Sequence, residues 1–200
     1  MRIRHAVMGG AAFVTIMSWA VLSFAQATRL SAEGTFKIKR IDQRFVLAPN
    51  LKGAATGEAT TGAKMQRKWL EIETTFDSAP DWADDVSLKY HVMLINKEGE
   101  ARMFGGEITY INVEKGRGHL SAIYMHPNTV VRYGRGSVEG VHVELWYKGQ
   151  RIDQETQPPA KARWWEGSEP VKGFLLNPQQ TPWLVFSERF ESIKPSGRSD

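Results

Sequence analysis

Residues 86–95, VSLKYHVMLI, decide the fold class of this 200-residue chain. Bulky apolar residues recur at every second position of the stretch, with serine, lysine and histidine between them. Because side chains alternate across a strand with period two, this pattern predicts a strand with one buried and one polar face. The polar turn Asn96–Gly99 follows, and it predicts a hairpin whose return strand is Ala101–Val113.

Turns that contain glycine divide the chain between residues 86 and 152 into short apolar segments. The remaining predicted turns and strands of this region are a turn at 115–118, a strand at 120–125, a loop at 134–140, a strand at 141–147, and a tight turn at 149–150 into a strand at 151–155. Gly105-Gly106 marks a bulge or a close backbone approach within the return strand. Five strands without a convincing helical period favour an all-β fold, a sandwich or barrel of mainly antiparallel strands.

The first 27 residues have the features of a secretory signal peptide. Two arginines precede a mostly apolar run, which ends in Ala25-Gln26-Ala27. The small residues Ala25 and Ala27, at positions −3 and −1 of the site, predict cleavage before Thr28. An uncleaved anchor is the alternative, because the apolar run approaches the roughly 20 residues that span a bilayer. Either outcome predicts an exported protein, in the periplasm or associated with the outer membrane, and cleavage would leave no membrane span.

Composition limits the classes of function. Removal of the signal peptide takes away two arginines and no acidic residue, so the net charge falls from +4 to +2. This near-neutral balance, without a dense basic cluster, argues against a nucleic-acid partner. The chain has no cysteine, which excludes disulfides, thiol catalysis and attachment of lipid through a cysteine. The mature length suits one domain.

The rest of the chain is predicted to form an arm, a body and a tail. The arm, residues 28–66, contains a strand near 35–47 and a Gly/Ala/Thr-rich linker at 50–64. The sandwich body spans residues 67–193, and residues 194–200 form a disordered tail. Within the body we predict a first strand at 68–76, a loop at 77–85 and a last strand at 181–186.

No residues match a known catalytic or metal-binding motif, so we predict a protein without enzymatic activity or cofactor. His91 and His142 are able to meet on adjacent strands, but solvent-facing positions are the simpler interpretation. Two pairs of carboxylates invite comparison with glycosidases, Glu71 with Glu73 and Asp84 with Asp85. Such pairs are common on exposed strand faces, so we interpret them as solvated.

Tryptophan is the residue type that best suggests recognition. Trp82, Trp164 and Trp165 lie in predicted loops and are the candidate surface-binding residues. Trp69 and Trp183 have apolar neighbours in predicted strands, and we assign them to the core.

The order of several short motifs resembles that of a known bacterial family. These motifs are KWLEIE at 68–73, DW at 81–82, KY at 89–90, GEITYINV at 106–113, HPN at 126–128, YKG at 147–149, WW at 164–165 and TPW at 181–183. The resemblance is to exported, pilus-like proteins of immunoglobulin-like fold from Verrucomicrobia, known from Akkermansia and encoded with type IV pilus assembly genes. It covers about residues 68–193.

The resemblance implies an immunoglobulin-like β-sandwich that acts in the cell envelope, with no catalytic residues to transfer. Two functions follow. The first is a structural or interaction module that binds envelope proteins, including type IV pilus assembly components, through sheet edges or loops. The second is a carbohydrate-binding module in which Trp82, Trp164 and Trp165 stack against a glycan.

Overall fold

A computed structural model of the chain describes residues 35–49, 68–134 and 137–195. The predicted signal peptide, the Gly/Ala/Thr-rich linker and most of the predicted tail lie outside these residues. Within them, no helix is both long enough and apolar enough to cross a bilayer.

Nine strands and one short α-helix make up the described part of the chain. They are β1 (Phe36–Val46), β2 (Trp69–Ala83), β3 (Val86–Ile95), β4 (Ala101–Ile111), β5 (Val113–Met125), α1 (Pro127–Gly134), β6 (Gly140–Tyr147), β7 (Gln150–Gln157), β8 (Leu175–Leu176) and β9 (Ser192–Ile193). Three 3-10 segments lie in the C-terminal third, at Trp164–Glu166, Pro178–Gln180 and Pro182–Arg189.

The strands form two antiparallel sheets that face each other across one core. Sheet A has the order β1-β2-β5-β8, and sheet B has the order β7-β6-β3-β4-β9. Because both sheets contribute to a continuous buried cluster, the fold is the all-β sandwich that the sequence predicts.

The central hairpin confirms the alternation in residues 86–95. Val86, Leu88 and Tyr90 are fully buried, while the residues between them are half-buried on the outer face of sheet B. β3 pairs with β4 without a register shift, and Gly99 takes the positive φ of +85° that the turn requires.

Gly105 and Gly106 mark close packing and not a bulge. A Cβ atom on Gly105 would lie 2.8 Å from the Pro170 ring, and one on Gly106 would lie 2.6 Å from Cδ1 of Ile123. Because β4 keeps its register with β3 through both glycines, the second of the two predicted alternatives is the correct one.

The predicted turn at residues 115–118 is wrong. The chain turns earlier, at Asn112, which has a φ of +56°, and there it crosses from sheet B to sheet A. Residues 115–118 lie within β5, where the pairing with β2 shifts register. Glycine therefore marks an irregularity of the ladder here, and asparagine, which also tolerates positive φ, makes the turn.

Helix α1 is absent from the sequence prediction. Pro127 occupies its first turn, and the backbone N–H of Thr129 donates to the carbonyl of His126. Val130 reaches the core between the sheets. Eight residues are too few to show a clear helical period, so the sequence pattern did not indicate a helix between the predicted strands.

Two further predictions are wrong, the end of a strand in sheet A and the type of one element in the C-terminal third. The predicted loop at 77–85 continues β2 as far as Ala83. The predicted strand at 181–186 is a 3-10 segment, Pro182–Arg189. This segment and Phe190 lie over the outer face of sheet A, where Trp183 and Phe190 pack with Tyr124 in a second apolar cluster.

Candidate functional site

The three candidate tryptophans do not form one surface. Trp82 is 65% exposed and lies in β2 of sheet A, opposite Glu114 of β5. Trp164 and Trp165 belong to a 3-10 segment on the outer face of sheet B, where Trp164 lies against Gly140. The two groups therefore occupy different sheets, and a shared stacking platform is absent.

Trp165 is buried and not exposed as predicted, because its indole covers His142. The two rings stack with 3.7 Å between centroids and 7° between planes. His142 pairs in register with His91, and their rings lie 5.8 Å apart. The histidines thus meet on adjacent strands, but the prediction that both face solvent is wrong for His142, which is fully buried.

Charged groups surround this histidine pair. Burial would raise the pKa of Glu144, but hydrogen bonds of 2.8 Å from Trp146 Nε1 and Arg151 Nη1 hold that pKa below its usual value. Burial lowers the pKa of His142 to about 4 and also lowers the pKa of His91. Both imidazoles are therefore neutral near pH 7.

Glu71 and Glu73 are not solvated, as the sequence suggested, but buried at 2% and 4% exposure. They lie on the outer face of β2, beneath the C-terminal segment. Arg44 of β1 binds both carboxylates, and Arg189 Nη2 donates to Glu73 Oε2 over 2.5 Å. This network joins β1, β2 and the C-terminal segment, so its role is structural.

Asp84 and Asp85 also have structural partners. Asp84 Oδ1 accepts a 2.8 Å hydrogen bond from the backbone N–H of Asn112, and Asp85 forms an ion pair with Lys194. Across residues 35–49, 68–134 and 137–195, no three histidine or carboxylate side chains are grouped so that they could hold a metal ion.

An exposed apolar patch lies at the C-terminal segment, and the sequence analysis missed it. We define the apolar patch as Leu184, Val185 and Phe186, each about half exposed. A cavity of about 410 Å³ adjoins it, between Val185, Phe186 and Phe190. Trp183 also lines this cavity, and its ring stacks on Tyr124 with 4.4 Å between the ring centroids. Four consecutive apolar residues after Pro182, without alternation, were the available signal.

A second concave surface lies beside β4. This cleft of about 500 Å³ is bordered by Lys89, His91 and Glu107 of the hairpin and by residues 169–173. Its charged residues are two lysines and two glutamates, Lys89, Lys172, Glu107 and Glu169. The paired glycines at 105–106 indicated a close approach here, but the sequence could not show which segment approaches.

Comparisons with known proteins agree with this architecture. A family model matches residues 27–196, which is most of the chain. A crystal structure of a protein from Akkermansia muciniphila superposes with a TM-score of 0.68 at 21% sequence identity, and the match covers 81% of this chain and 94% of the other. No curated protein matches the chain.

The family match includes residues 68–193, which contain all the motifs of the resemblance. The structural match supports the same two-sheet fold. At 21% identity, that structural match speaks for the fold alone. Together with the sandwich described above, these findings show that the chain belongs to the pilus-associated family of immunoglobulin-like proteins of the Akkermansia type.

Proposed function

We propose that this protein is a non-catalytic interaction module of the cell envelope that binds components of the type IV pilus assembly machinery. Family membership supplies the envelope and pilus context of the proposal. The apolar patch is the observation that carries the binding role.

The patch favours a protein partner for two reasons. Three consecutive apolar side chains that are half exposed remain unfavourably hydrated until another surface covers them. The patch also rests on a firm base, because Trp183 stacks on Tyr124 and Arg189 binds Glu73 on either side of it. A preorganised apolar surface loses little conformational entropy when a partner binds.

The carbohydrate-binding alternative receives less support from the geometry. Trp165 is buried with its ring stacked on His142, and Trp164 is half-buried against Gly140. Only Trp82 among the three candidates presents a largely free indole. The three tryptophans therefore do not provide the two or three exposed aromatic rings on which a glycan would stack.

Site-directed photo-crosslinking in living cells tests the proposed function. A photoreactive amino acid replaces Val185 of the apolar patch in a tagged protein. Val131 of α1 provides a matched control, since the two valines are 53% and 55% exposed and lie on different elements. We expect a secretin or alignment component of the pilus machinery to be captured from position 185 and not from position 131.

Equal capture from both positions, or no capture of a pilus component while a known envelope complex is captured in the same cells, would contradict the proposal. In that case a glycan array with the purified protein becomes the next measurement. Loss of any array signal in Trp82→Ala would then support the carbohydrate-binding alternative.

A further inference from the structure

The outer edge of β4 is interrupted at Glu107. On one side of the interruption, Val171 lies along the strand: its N–H donates to the carbonyl of Met103, and its carbonyl accepts from the N–H of Gly105. On the other side, the N–H of Lys194 donates to the carbonyl of Thr109, next to the pairing of β4 with β9. Nothing in the described chain pairs with the edge between these contacts.

The hydrogen-bond pattern shows which main-chain groups are unpaired there. In an antiparallel ladder, alternate residues direct their N–H and C=O groups to the same side. Gly105 and Thr109 direct theirs away from β3, because they bond Val171 and Lys194. Glu107 lies two residues from each, so its N–H and C=O also point outward. Neither group has a partner among the described residues.

These free groups lie at the cleft of about 500 Å³ beside β4. Gly105, Gly106 and Glu107 border it from the strand, and Glu169, Lys172 and Gly173 border it from the segment opposite. The distance along β4 from Gly105 to Thr109 is about 13 Å, at about 3.3 Å per residue. The gap therefore accommodates about three residues of an extended chain.

We propose that this gap is a binding site for a short extended peptide segment of a partner protein, which adds main-chain hydrogen bonds to Glu107 at the edge of β4. The inference rests on the proposed function as an interaction module and names a site and a ligand class for it. An extended peptide carries the complementary donor and acceptor with the spacing that the edge requires.

The charges of the cleft favour main-chain recognition over recognition of an anion or a cation. Lys89 and Lys172 balance Glu107 and Glu169, so the charged residues of the border sum to zero. Lys89 is also engaged by Trp146, with its Nζ 4.0 Å from the ring centroid. Glu107, Glu169 and Lys172 are exposed and make no ion pair within the described residues, so they remain available to side chains of the peptide.

A proline substitution separates the main-chain contact from the side-chain contact. Glu107→Pro removes the free N–H but no hydrogen bond to β3, because that N–H points to the open edge. Glu107→Ala removes the carboxylate and keeps the N–H. Both proteins are compared with wild type for binding of heptapeptides selected on the wild-type protein from a displayed random library.

We expect the selected peptides to bind wild type and Glu107→Ala within threefold of each other and to bind Glu107→Pro at least tenfold more weakly. In wild-type protein, the amide of Glu107 should gain protection from hydrogen exchange when peptide is added. N-methylation of single peptide amides should abolish binding at one or two positions, a result that does not depend on how well Glu107→Pro folds.

Binding that survives every single N-methylation, or an exchange rate at Glu107 that peptide leaves unchanged, would overturn the inference. Failure to select any heptapeptide above background would also overturn it. None of these results changes the crosslink expected from position 185. The proposed function therefore does not depend on this inference. Loss of that crosslink with peptide binding intact would reject the pilus partner and leave the peptide site.

Discussion

His142 is a fully buried imidazole, and we expect it to make the stability of the protein depend on pH. In the unfolded chain a histidine takes up its proton near pH 6.5. In the folded chain burial lowers the pKa of His142 to about 4, in a setting where Glu144 opposes that shift and His91 and Arg151 add to it. Between these values the unfolded state binds more protons, so the free energy of unfolding falls as the pH falls from about 6.5 towards 4.

Urea unfolding at pH 7.5 and at pH 5 measures this effect. We expect a smaller difference between the two pH values in His142→Gln than in wild type, with each unit of pKa difference worth about 1.4 kcal/mol. His126→Gln is the control, because His126 is exposed. Some pH dependence should persist in His142→Gln, since burial lowers the pKa of His91 as well. An unchanged difference in His142→Gln would refute the assignment.

Tyr124 links the apolar cluster of sheet A to the buried carboxylates. Its hydroxyl donates a 2.8 Å hydrogen bond to Glu71 Oε1, and burial and that bond raise the pKa of Tyr124. We expect Tyr124→Phe to lower the free energy of unfolding by about 1.5 to 3 kcal/mol, because a buried carboxylate loses a donor. Tyr147→Phe is a suitable comparison, since the Tyr147 hydroxyl has no hydrogen bond among the described residues. If chemical denaturation showed an equal loss of unfolding free energy in Tyr124→Phe and Tyr147→Phe, the result would argue against a stabilising role of the bond to Glu71.

At the scale of elements, strands and turns could be located from the sequence wherever one face of a strand is buried and the other is not. The alternation in β3 and the glycine after Asn96-Lys97-Glu98 identified the central hairpin, and Gly149 correctly marked the turn between β6 and β7. In these places the local pattern and the tertiary environment agree. Their positions could therefore be predicted without knowledge of distant contacts.

The same reasoning failed where a distant segment covers the outer face of a sheet. Glu71 and His142 occupy the polar side of the alternation, yet both are buried. The cover comes from Arg189 and Phe190 for sheet A and from Trp165 for sheet B. Alternation reports which residues share a face, but it carries no information about a segment that returns from far along the chain. The cleft escaped prediction for this reason, whereas the apolar patch had a signal in the sequence, the four consecutive apolar residues after Pro182.

The 3-10 segment Pro182–Arg189 should have separable stabilising and binding sides. Trp183 stacks on Tyr124 and meets Trp69 edge-on at 5.5 Å, whereas Phe186 is half exposed. We expect Trp183→Ala to lower the free energy of unfolding by about 2 to 4 kcal/mol, somewhat less than the about 3 to 5 kcal/mol for a large aromatic residue in a core, because Trp183 is only partly buried. Phe186→Ala should cost about 0.5 kcal/mol or less.

Equilibrium unfolding in urea provides the measurement for both variants. The crosslink from position 185 should weaken in Phe186→Ala although that protein remains stably folded. A loss of stability in Phe186→Ala as large as in Trp183→Ala would show that the exposed side also supports the fold, and it would remove the distinction on which the patch depends.

At the scale of the whole molecule, β1 is an integral part of the sandwich, although it is separated from β2 by more than 20 residues. It pairs with β2 from Phe36 to Val46 and places Phe36, Ile38 and Ile41 in the common core. Burial of each such side chain contributes about 1.5 to 3 kcal/mol, so the three together approach the 5 to 15 kcal/mol of a typical domain. Arg44 adds its ion pairs with Glu71 and Glu73.

We therefore expect a chain that begins at Lys68 to be largely unfolded, although the sequence alone suggested that the sandwich starts at residue 67. Far-UV circular dichroism and urea unfolding would compare it with the chain that begins at Thr28. Addition of a synthetic peptide of residues 35–47 should restore the β-sheet signal, and a peptide of the same composition in shuffled order should not. If the chain that begins at Lys68 were as stable as the longer one, β1 would be an accessory strand. Its core side chains would then contribute far less to the free energy of unfolding than their burial predicts.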